Sequence, residues 1–186
     1  MRWFCLALLF LAGVAHAEKL NVSVGEPALV FTLPAVNEDI AQRAVGQARV
    51  SLDGFVGLLP TVDCEREKKG CSAVLLYFFD RDQGGAGLKA LNQITKRYSD
   101  KGVRVLAVSQ DEGDVAELDA WVKSQRLNFL VLRDNYHVVS SRYGLTRWPM
   151  LFVLDEAGRI SSIGAPESGQ LFQAVEDALS PFVGSR

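Results

Sequence analysis

Seven consecutive apolar residues, Ala73-Val74-Leu75-Leu76-Tyr77-Phe78-Phe79, constrain this chain more than any other segment. The run is too short to span a bilayer and has no polar side. It predicts a strand covered on both faces. A loop rich in glycine, Asp80 to Gly87, follows it. Leu88, Leu91, Ile94 and Tyr98 then recur at helical spacing, and Gly102 ends that helix. Val103 to Val108 predicts a second buried strand. Val115, Leu118, Trp121 and Val122 mark a second helix, with Asp114 as its N-cap. Phe129 to Leu132 is a third strand, and Tyr136 to Tyr143 is a short helix ended by Gly144. Met150 to Leu154 and Arg159 to Ile163 make a hairpin, and Leu171, Phe172, Val175 and Leu179 stripe a final helix. Ahead of these, Leu29 to Leu33, closed by Pro34, reads as an edge strand. Residues 37–49 are ambiguous, Val50 to Gly54 is a short strand and turn, and Thr61 to Cys71 is a charged loop. Strands alternating with helices and closed by a hairpin predict an α/β domain, with a central mixed sheet flanked by helices.

The first residues stand apart. Arg2, an uncharged apolar run from Trp3 to Val14, and Ala15-His16-Ala17 read as a secretory signal peptide over residues 1–17. A secreted or periplasmic protein is expected, with residues 18–186 forming a single domain whose core covers about 24–180. Its length suits one domain. Cys5 lies too early for a lipoprotein. No later run is long enough for a membrane span.

A net charge of -2 gives no electrostatic footprint for nucleic acid. Beyond residue 17 the chain keeps one histidine, His137, and two cysteines, Cys64 and Cys71. A zinc site takes about four ligands, so no metal is expected, and no cofactor is implied.

With these residues the pattern resembles the thioredoxin fold, specifically the secreted TlpA-like and AhpC/TSA (redoxin) group. Gly25-Glu26-Pro27-Ala28-Leu29-Val30-Phe31-Thr32-Leu33 is similar to the opening G-x-P-A-P-x-F-x-L of that group. Val74 to Phe79 resembles the strand leading to its active site, and Gly102 to Ser109 its second core strand. Tyr143-Gly144-Leu145 through Trp148-Pro149 to Asp155 resembles the segment holding its cis-proline. The resemblance implies a cis bond at Pro149, and a groove around Trp148 and Pro149 where a protein or peptide partner pairs.

The family's C-x-x-C is missing. Aligning Phe78-Phe79 with the usual aromatic pair puts Gln83-Gly84-Gly85-Ala86 where it belongs, and no cysteine lies beyond Cys71. Gln83 has no titratable group and Ala86 no reactive atom. Asp80 and Asp82 are expected to cap the helix that follows, and the glycines to meet unusual backbone angles. Cys64 and Cys71 flank six residues and, in an oxidising compartment, are expected to form a disulfide. The length of the following strand separates them from Gln83 by roughly 20 Å. Two functions remain open. One is a binding or scaffolding module that has lost dithiol catalysis. The other is a thiol–disulfide oxidoreductase or antioxidant protein using Cys64 and Cys71.

Overall fold

The computed structural model describes residues 19–57, 60–65 and 68–183. The signal-peptide expectation falls on residues outside this set. The elements run β1 (Thr32–Pro34), α1 (Glu38–Val45), β2 (Arg49–Ser51), β3 (Asp63–Glu65), β4 (Lys68–Lys69), β5 (Ala73–Phe79) and α2 (Leu88–Tyr98). They continue β6 (Val103–Ser109), α3 (Val115–Ser124), β7 (Leu130–Arg133), α4 (Val138–Tyr143), β8 (Met150–Asp155), β9 (Ile160–Gly164) and α5 (Leu171–Val183).

The main sheet has the order β7-β6-β5-β8-β9. β5 is its centre, parallel to β6 and antiparallel to β8. The apolar run is the reason: all seven residues of β5 are buried. Side chains alternate across a strand. Val74, Leu76 and Phe78 enter one core with Phe31, Leu52, Phe55, Tyr143 and Phe152. Leu75, Tyr77 and Phe79 enter the other with Leu88, Leu91 and Ile94 of α2, Leu118 of α3 and Val175 of α5.

The N-terminal segment departs from the sequence reading. Its strand is shortened to Thr32–Pro34, which pairs with β2, while an isolated bridge joins Pro27 to Arg159. A single bridge, Ala35 to Leu132, joins this ribbon to the edge strand β7. The ambiguous stretch contains α1, and Asn37 explains how it is held. Its side-chain amide donates to the Phe129 carbonyl at 2.8 Å and accepts from the Val131 N–H at 3.0 Å. A buried side chain thus occupies backbone groups that an open edge would leave unpaired. Asn37→Ala is expected to cost about 1–2 kcal/mol in a denaturant melt, because two buried bonds are lost. The charged loop is also structured: β3 and β4 pair antiparallel.

Candidate functional site

The site lies where β5 ends and β8 begins, since Phe78 pairs with Met150. The Trp148–Pro149 bond is cis, as the resemblance implied. Opposite Pro149 stands Gly84, between Gln83 and Ala86. Its φ is +104°, and a Cβ there would lie 2.8 Å from Pro149 Cβ, 2.9 Å from Tyr77 Oη and 3.0 Å from Phe79 Cβ. Only glycine meets both demands. Tyr77 Oη donates to the Gly84 carbonyl at 3.0 Å, and burial pushes its phenol above the usual tyrosine range. Gly85 fits beneath the Trp121 ring, and Gly87 beside Tyr77 Oη and Leu171. The glycines therefore serve close packing as well as turning. Gln83 and Ala86 are both exposed.

The acidic residues ahead of the helix do something other than cap it. Asp80 Oδ1 accepts from the Gln83 N–H, and the Asp80 N–H donates to the Gln83 carbonyl at 3.2 Å. This closes the loop on itself. α2 starts later, after a single helical turn at Gly85–Gly87, with no side-chain cap. Asp82 is exposed.

Sequence reasoning missed the second wall. The Trp148 ring stacks on His137, with centroids 6.2 Å apart and planes at 12°. His137 Nδ1 lies 3.0 Å from Gln110 Oε1, and Nε2 lies 2.9 Å from Glu112 Oε1. Gln110 follows β6 and is buried, its backbone N–H donating to the Phe79 carbonyl at 2.8 Å. Buried Asp134 accepts from the N–H groups of Val138, Val139 and Ser140, which fixes the start of α4. Asp111 takes Arg81 at 2.9 Å and the Ser109 hydroxyl at 2.6 Å. The available signal was the polar run Ser109-Gln110-Asp111-Glu112 directly behind a buried strand.

Cys64 and Cys71 form a disulfide with Cα atoms 5.0 Å apart. They are 3% and 1% exposed. The Cys71 N–H donates to the Phe55 carbonyl at 2.9 Å, and Arg104 donates to the Cys64 carbonyl at 2.7 Å. Cys71 precedes β5 and Gln83 follows it, so a strand of seven residues, about 23 Å long, separates them. Gln83, Ala86, Trp148 and Pro149 share one end of the sheet, and the disulfide lies at the other. Among the described residues no group of three or more histidine, cysteine or acidic side chains could hold a metal ion. No helix among them is long and apolar enough to cross a membrane.

The model of the AhpC/TSA family matches residues 60–163. The thiol-disulfide oxidoreductases ResA of Bacillus thuringiensis and Bacillus cereus are each 31% identical over 70 residues, 38% of this chain. The match spans only 40% of those relatives' length. A Chlorobium tepidum protein described as a thiol:disulfide interchange protein DsbE superposes with a TM-score of 0.65 at 22% identity. That superposition covers 88% of this chain and 99% of the other. A secreted Mycobacterium tuberculosis disulfide oxidoreductase gives 0.56 at 17% identity, over 79% and 95% of the two chains. At these identities the structures establish the thioredoxin-like fold alone.

Proposed function

Because the chain belongs to the AhpC/TSA family yet carries Gln83 and Ala86 where the dithiol is expected, we propose that it is a binding or scaffolding module without dithiol catalysis at that site. Its occupant is an extended segment of a protein partner lying across Trp148 and Pro149. One observation carries this reading: among the described residues no cysteine lies at the end of the sheet that holds Pro149, while Cys64 and Cys71 are buried in a disulfide at the far end. A thiolate must be exposed to attack a disulfide.

Carboxymethylated insulin B chain, an extended chain with no free thiol, tests the reading. Its addition is expected to shift backbone amide resonances at Gln83, Gly84, Arg147 and Trp148. Shifts confined to the Cys64 hairpin, or none at all, would reject the groove. The oxidoreductase reading keeps one observation in its favour. A cavity of about 390 Å³, lined by residues that include Phe55, Val62, Asp63 and Arg104, opens beside that hairpin. Under that reading the cavity admits a substrate to the disulfide, and the wild-type protein would exchange thiols.

An extracytoplasmic location fits a disulfide and a relative described as secreted. Mass spectrometry of the exported protein is expected to find Glu18 as its first residue, since Ala15 and Ala17 suit the cleavage pocket. A product retaining Met1 would refute this.

A further inference from the structure

We infer that His137 is a positioning residue that, when protonated, holds the Trp148 wall of the groove, and that losing the proton to water releases it. Both ring nitrogens face oxygens: Nδ1 faces Gln110 Oε1 at 3.0 Å and Nε2 faces Glu112 Oε1 at 2.9 Å. The Gln110 amide nitrogen lies 3.5 Å from the Val108 carbonyl, and its Oε1 faces the ring. An ionised carboxylate only accepts, and a neutral imidazole has one N–H and one lone pair. The imidazolium satisfies both oxygens, whereas the neutral ring sets a lone pair against one of them. The charged ring is also the better partner for the indole face of Trp148.

The backbone agrees. His137 sits at φ 52°, a region that side-chain-bearing residues rarely occupy. An outlier of this kind persists where its surroundings hold it.

The charged groups nearby can be accounted for. Glu112 is the carboxylate in contact with His137, and its side chain is 74% exposed. Asp111, beside it in the loop after β6, is occupied by Arg81 and Ser109. Asp134, at the end of β7, is occupied by the first N–H groups of α4. Arg133 donates to the Gly113 carbonyl, and Arg147 neighbours Trp148 in sequence. Histidine is the side chain whose charge ordinarily changes between about pH 5 and 8. As the pH rises Glu112 swings into solvent and Trp148 gains rotational freedom. A bound segment must then order the indole itself, so affinity falls with rising pH. This last step rests on the groove reading, while the lock does not.

The test uses Trp148 as the sole indole, with Trp3→Phe and Trp121→Phe in the full chain. A stacked imidazolium quenches indole emission. Emission is expected to rise between pH 5.5 and 8, and His137→Gln is expected to remove the transition. Flat emission, or an unchanged transition in His137→Gln, overturns the lock. Carboxymethylated insulin B chain is expected to bind roughly fivefold or more weakly at pH 8 than at pH 5.5, the difference being lost in His137→Gln. Binding equal at both pH values overturns the regulation. A normal emission transition with no binding at either pH supports the lock and rejects the groove.

Discussion

A protein carrying Gln83→Cys and Ala86→Cys is expected to reduce disulfides, an activity expected to be absent from the wild-type chain. The two positions flank Gly84, which touches Pro149 across the groove. They lie just ahead of α2, where a helix N-terminus favours thiolate. Lowering a thiol pKa from about 8.5 to about 7 raises the thiolate fraction at pH 7 about fifteen-fold. Asp80 works the other way, because its carboxylate already accepts from the residue 83 N–H and repels a thiolate there. Adding Asp80→Asn should therefore raise the rate further. Turnover of insulin with dithiothreitol measures both effects. A folded double mutant with no turnover would show that Gln83 and Ala86 do not occupy the dithiol positions.

Removing the disulfide is expected to cost stability and to leave the groove intact. Cys64→Ala with Cys71→Ala frees a loop of eight residues, worth about 2–3 kcal/mol in the chain-entropy model. At this chain length that is a fall in Tm of roughly 4–12 °C. Binding at Trp148 should not change, because the whole length of β5 intervenes. Wild-type thiol–disulfide exchange that disappears in this folded variant would replace the binding module with the oxidoreductase.

How much of this was legible depended on where each contact is made. β5 and the strands and helices after it were readable because their signals are local. A wholly apolar run needs two covered faces, and Leu88, Leu91 and Ile94 define one helix face. Asp114 was readable for the same reason, and its side chain accepts from the Ala116 N–H at 2.7 Å. Asn37 was not readable, because its partners, Phe129 just before β7 and Val131 within it, lie more than ninety residues away. The pairing of β3 with β4 was hidden by charged residues that carry no strand pattern. At the site, the cis bond at Pro149 was legible from the family motif. His137 was noticed as the one remaining histidine, but its role depends on Gln110, Glu112 and Trp148, which arrive from two separate loops.

The contact between Gly84 and Pro149 also limits which sequences this turn admits. With the turn closed this tightly, residue 84 has no room for a Cβ and a backbone angle few side chains tolerate. With this turn, cysteines placed at 83 and 86 would read C-G-x-C. Any bulkier residue at 84 would require Pro149, Tyr77 and Phe79 to move together. While the groove keeps this shape, position 84 is therefore reserved for glycine whichever residues stand at 83 and 86, and variation in the loop is confined to its exposed positions.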